Sequence, residues 1–449
     1  MASSKQTHRS SSTIHETEIS ITPVKLSNEA NAAATRSIEK PPAWDNDDPP
    51  PDGGITAWLV VLGAWCILFC SFGWINSMGT FQSYYETTLL PEYAPSTISW
   101  IPSLQVFFMF GMGPIVGKLY DIFGPRYIIL IGSFLHVFGL MMASLATKYY
   151  QLLLSQGVCS AIGVAAIFQP AMGCIPGWFS RRRGAAYGII STGSGIGGVV
   201  FPIMVSRLMG RVGYAWTMRI GAFVILVLLG IANLTVRARG TRTGKKMCRE
   251  GLVKPFREAK MVLLVLGFMC LTFGVFIPIN YIVVQAVDAG MSAALAQYLV
   301  AILNAGSLLG RLSAGLCSDR VGAYNIFVCV VFLAGVVVLG LWIPAAGNAA
   351  IIVFAVVFGF TTGAYVSLAP ALVVGISPLE EIGYRTGLMF LFASVGGLTT
   401  SPIGGAILQR DGGSYTGMKA FSGVMLLVGT GFVVAARVVK TGWVLKAKF

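Results

Sequence analysis

Arg311 sits in the stretch SLLGRLSAGL, whose other residues carry no charge. No acidic residue lies within one helical turn of it on its own segment, so its charge needs a partner from elsewhere. A carboxylate or phosphate on a ligand would serve, because a guanidinium takes such groups through two parallel hydrogen bonds. Reaching a membrane interface, or contact with Asp319 or a neighbouring helix, would serve equally. Neutral polar residues stand in similarly apolar surroundings: Asn76, Gln105, Gln169, Asn280, Tyr281, Asn304 and Tyr365. An amide or hydroxyl without a partner is costly there. Each is expected to face another helix or, as a set, to line a cavity that binds a small organic molecule. Arg219, close to the end of its apolar run, is expected to extend to the membrane surface.

A second group is repeated. Gly117, Asp121 and Gly124 return as Gly315, Asp319 and Gly322, each 198 residues later, followed by Arg126 in the first copy and with Arg320 inside the second. Glycines of this spacing let two helices approach, and an aspartate near a helix end can hold basic residues or the terminus of a neighbouring helix. Further pairs keep nearly the same offset: Pro170 with Pro370, Gly197 and Gly198 with Gly396 and Gly397, and Pro202 with Pro402. A shared offset across these landmarks implies two halves related by duplication.

The elements that position these residues follow from composition. Of 449 residues, 55% are hydrophobic and only 11% charged, and the mean hydropathy is +0.74. A soluble domain carries about 25% charged residues, so an ordinary soluble enzyme is excluded. Eight cysteines, nearly all in apolar runs, are too sparse for a disulfide scaffold. No phosphate-binding loop, zinc-protease motif, Cys-x-x-Cys or nucleophile elbow is present, and two of the three histidines, His8 and His15, lie far from His136. Neither an enzyme, a metal site nor a cofactor is expected.

Apolar stretches near the length needed to cross a bilayer, about 20 residues, recur at 57–81, 98–118, 127–146, 150–178, 185–206, 214–236, 258–286, 294–316, 324–343, 348–376, 385–407 and 417–436. The fold class is therefore all-α integral membrane, with twelve transmembrane helices in two pseudo-symmetric six-helix bundles. Residues 1–52 read as a disordered tail, 53–236 and 258–440 as the bundles, 237–257 as a basic loop and 441–449 as a short tail. Twenty Lys/Arg fall in gaps on the side of both termini, against four in the opposite gaps. By the positive-inside rule both termini are expected in the cytoplasm. The net charge of +14 is thereby a topology signal and not a nucleic-acid footprint.

The paired Gly-x-x-x-Asp-x-x-Gly segments resemble the signature loop of the major facilitator superfamily, which implies gating roles for Gly117, Asp121, Gly124, Arg126, Gly315, Asp319, Arg320 and Gly322. Two further stretches are similar to signatures of its monocarboxylate porter family, whose fungal members the long N-terminal tail suits best. They are Asp52, Gly53 and Gly54 followed by Trp58, and the run WFSRRRGAAYGIISTG, which contains Arg181, Arg182, Arg183 and Gly188. Proton-linked animal members of that family carry a lysine deep in the first helix and an acidic residue one turn before an arginine in the eighth. Here those positions are Asn76 and Ser307, while Arg311 matches the arginine. The resemblance implies a secondary transporter of a small organic anion working by alternating access, with or without a coupled proton, monomeric and in the plasma membrane. An exporter of a fungal secondary metabolite, or a sensor that has kept the fold, are the alternatives.

Overall fold

The computed structural model describes residues 49–239 and 249–442. The expected tail up to residue 48, the loop residues 240–248 and the final segment from 443 lie outside the described residues.

The described chain is helical. Long apolar helices run over Ile55–Leu89 (α1), Pro95–Phe123 (α2), Pro125–Ala143 (α3) and Tyr149–Trp178 (α4). A continuous helical stretch, Arg183–Thr235, follows. It divides into α5 and α6 at Gly213, whose φ of 75° and ψ of 174° break the helix at a position where a side chain would be strained. The second half comprises Ala259–Asp288 (α7), Ala293–Val321 (α8), Ala323–Trp342 (α9), Asn348–Ile376 (α10), Leu379–Arg410 (α11) and Thr416–Thr441 (α12). Among the described residues twelve spans result, as the recurring apolar stretches predict. Within the basic loop the chain forms one further short helix, Arg249–Arg257, which the sequence reading treats as irregular.

Spans of this length bond their own backbone throughout, as hydrocarbon requires. Their outer faces carry large exposed apolar side chains such as Phe134, Leu226, Leu316 and Phe332. The repeated motif ends α2 and α8. Its last glycines, Gly124 and Gly322, adopt φ of 75° and 107° and turn the chain directly into α3 and α9. Prolines lie inside α4, α5, α7, α10 and α11, and α1 and α4 each contain a wider π turn, at Phe69–Gly73 and Leu153–Ser160.

The face that bears the repeated motifs and the arginine run is here called the basic face. There the two halves meet backbone to backbone. A methyl group on Gly117 would collide with the Gly383 carbonyl, and one on Gly113 with that of Gly387, so the closest backbone approach of α2 and α11 is made through glycines. The pseudo-symmetric contact between α5 and α8 is made by Gly184 and Gly188 against Gly315. Among the described residues no side-chain hydrogen bond joins the halves on the opposite face.

Candidate functional site

The two motif aspartates have the same job on opposite halves. Asp121, on α2, accepts hydrogen bonds from the amides of Gly383 (2.9 Å) and Tyr384 (2.7 Å) in the first turn of α11. Asp319, on α8, accepts them from Gly184 (2.7 Å) and Ala185 (2.9 Å) in the first turn of α5. First-turn amides have no partner within their own helix, and a carboxylate also meets the positive end of the helix dipole. The sequence reading anticipates that a motif aspartate holds a neighbouring helix. The geometry adds that the neighbour belongs to the other half.

Arg311 also crosses between halves. It is 7% exposed, and its Nη1 donates to the Ser191 carbonyl at 2.5 Å and to Ser194 Oγ at 2.7 Å, both on α5. Among the described residues no carboxylate lies within ion-pair distance of it, and its Nε has no partner. Of the possibilities left open by sequence, contact with a neighbouring helix is the one present in this conformation. Ser191 and Ser194 were not singled out from sequence. Their signal is the small-residue run after Arg183.

Beside these contacts an aromatic cluster closes the interface. Phe110 of α2 stacks on Phe390 of α11 at 5.3 Å between centroids, and Phe168 of α4 meets the same ring edge-on at 5.3 Å. Phe72 of α1 packs on both Phe110 and Phe168.

The neutral candidates divide. Asn76 is exposed, bonds the Phe72 carbonyl of its own helix at 2.7 Å and lies against Gly198 of α5. Gln105 and Gln169 are buried, and neither atom of either amide has a partner. Asn280 and Tyr281 converge on Ser401 of α11, the first through Oγ at 2.9 Å and the second through the carbonyl at 2.7 Å. Tyr365 approaches Thr272 Oγ1 at 3.3 Å and packs on Phe268. Asn304 is half-buried on α8. Arg219 bonds Ser144 Oγ at 3.2 Å and lies over Trp216 on the face opposite the basic one.

The two short signatures form one structure. Asp52, with φ of 52°, accepts hydrogen bonds at Oδ1 from the amides of Ser180 (2.6 Å), Arg181 (2.7 Å) and Arg182 (3.3 Å). Asp52 also donates its own amide to the Trp178 carbonyl at 3.1 Å, and Trp58 packs edge-on against Phe179. Gly53 and Gly54 carry the chain from this cap into α1.

A buried ion-pair centre was missed by sequence. Arg385, counted there only as a basic residue of a gap, is fully buried. It donates Nη1 and Nη2 to the two oxygens of Glu258 at 2.7 Å each, and Nε to Glu381 at 2.8 Å. Hydrogen bonds from Arg385 hold the Glu258 carboxyl below its ordinary range, against the opposing effect of burial. Tyr384 bonds the Leu252 carbonyl at 3.1 Å and Lys254 lies 3.8 Å from Glu381, so the short helix Arg249–Arg257 is docked on the start of α11. Among the described residues no group of three metal-ligating side chains exists.

A family profile described as Major Facilitator Superfamily matches residues 60–287 and 262–443. The chain is 64% identical over 412 residues to "MFS transporter asaE" of Aspergillus flavus, covering 92% of this chain and 93% of that protein. It is 52% identical over 397 residues to the "Fujikurins efflux protein" of Gibberella fujikuroi, covering 88% and 85%. Its fold is similar to that of the Escherichia coli fucose:proton symporter FucP, with a TM-score of 0.69 at 14% identity over 84% of this chain and 98% of that one. The fungal relatives are transporters named in part for efflux, and the narrower monocarboxylate porter label is not what they carry. With two glycine-lined halves held together by exchanged aspartate caps, and matches spanning both halves, the chain belongs to the Major Facilitator Superfamily of membrane transporters, and is not an enzyme.

Proposed function

We propose that the protein exports a small organic secondary metabolite by alternating access, with the basic face in the cytoplasm and the plasma membrane as its site. The observation that carries the mechanism is the one-sidedness of the contacts between halves. Asp121, Asp319 and Arg311 all cross on the basic side, so a rocking motion that breaks them opens that side to cargo. The direction rests on the efflux proteins among the close relatives.

The polar inventory favours a cargo that is not a simple anion. Arg311 spends its Nη1 on α5, while Gln105 and Gln169 keep buried amides without partners near the aromatic ring cluster of their own helices. Leaving such groups unpaired costs about 1 to 3 kcal/mol each, which contact with a hydroxyl- or carbonyl-bearing cargo would offset. An organic anion remains the second reading, carried by the unpaired Arg311 Nε.

Metabolite profiling of cells with and without the gene tests export: a product that accumulates inside on deletion and appears outside on re-expression is expected. Reconstituted vesicles that bind such a product without any flux would overturn transport in favour of sensing.

A further inference from the structure

We infer that the corner of the basic face between the α2–α3 turn and the end of α6 is a binding site for an anionic phospholipid. A cavity of about 560 Å³ opens there, with Arg126, Asn233 and Arg237 on its walls and Phe123 and Leu234 at its rim. That volume suits a phosphate-bearing headgroup. Both arginines are exposed, and among the described residues neither has a carboxylate within ion-pair distance. Arg126 lies in the first turn of α3, which holds no acidic residue of its own to meet the positive end of that helix dipole.

The site is built and not merely left over. The Arg237 carbonyl accepts Trp178 Nε1 at 2.8 Å, and Arg239 donates to the Pro49 carbonyl at 2.8 Å, which fixes the chain beyond α6 along the cavity wall. Phe123, Tyr127 and Leu234 are 64%, 66% and 75% exposed. They continue onto Leu130 and Phe134, the outer stripe of α3, which gives acyl chains an apolar track leading away from the arginines.

The other half supplies an internal comparison. Gly322 is the counterpart of Gly124, which makes Asn325 the counterpart of Tyr127. There Arg437, at the end of α12, is buried and donates Nε to Asn325 Oδ1 at 2.8 Å. The second half closes this corner with its own side chains, whereas among the described residues the first half leaves it open, positively charged and lined by apolar surface. A lipid fits both features at once, while a soluble anion would leave the apolar rim unused.

The inference rests on the chain spanning a membrane and not on what it carries. A photoactivatable phosphatidylglycerol, cross-linked to the full chain in nanodiscs and mapped by peptide mass spectrometry, is expected to label residues 122–127 and 233–238. At about 1 kcal/mol per basic residue near a charged surface, R126Q/R237Q should lower that labelling about thirtyfold. A238W fills the cavity without changing charge and should do the same, which guards against a misfolded double variant. K254Q/R257Q, an equal charge change elsewhere on the face, should leave the labelling within about twofold. Labelling that survives both cavity variants, that a phosphatidylcholine probe reproduces, or that inorganic phosphate abolishes would overturn the proposal.

Discussion

Arg311 Nη1 lies 2.7 Å from Ser194 Oγ, so a charge borne by α8 is solvated by α5 across the boundary between the halves. In the proposed rocking motion this bridge would part as the basic side opens. Its loss on opening frees the guanidinium for water or cargo, and the two roles are separable by substitution.

Arg311→Ala is expected to lower transport at least about tenfold, since it removes hydrogen bonds worth about 1.5 to 3 kcal/mol to a charged group. Both bonds leave from one nitrogen. Arg311→Lys should therefore keep part of the activity if the bridge is the main role. A lysine variant as inactive as the alanine variant, in vesicle flux at equal protein level, would point to bidentate cargo binding.

Asp121→Ala or Asp319→Ala should shift the protein towards the form open on the basic side. Each removes a pair of charge-assisted caps, and a loss of about 2 kcal/mol moves a two-state balance about thirtyfold. Amide hydrogen exchange at Gly383 and Tyr384, or at Gly184 and Ala185, should rise accordingly.

Gly117→Val is expected to prevent closure altogether, because the space is occupied by the backbone of Gly383 and Tyr384 and no flexible side chain can yield. Spin labels on α2 and α11 should report a longer distance than in the wild type. An unchanged distance would show that the backbone gives way to the valine without parting the helices, and would overturn this prediction.

The short helix Arg249–Arg257 should be held in a pH-dependent way. Because the folded Glu258 carboxyl is depressed by Arg385, its contribution is complete above the ordinary carboxylate value of 4.5 and is lost as pH falls through the lower folded value. A spin label at Val253 should be immobile at neutral pH and mobilise only in acid. Arg385→Met, which leaves two carboxylates facing one another, should destabilise the protein by about 3 kcal/mol at neutral pH, read as a lower melting temperature in detergent.

The spans and the duplication were legible because hydrocarbon imposes length and apolarity on every helix and because Asp121 and Asp319 keep one offset. Their partners were not. Main-chain amides of Gly383 and Gly184 carry no side-chain signal, so a capping contact that crosses halves leaves only the aspartate visible. Arg385 shows the opposite failure. Its charge fits the topology rule so well that the sequence alone gives no reason to seek Glu258, which lies 127 residues away. The signature pair shows a third case: Asp52 and Arg181 were both noticed, but their pairing follows from the loop geometry alone.

The aspartate caps are exchanged, each borne by one half and closing a helix of the other, across 135 and 263 residues of chain. Had each half sealed its own helix, one could rearrange while its twin stayed still. Here the single rocking displacement proposed above would part both pairs together. In that motion the duplicated chain would act as a double-pole switch, two contacts thrown by one lever.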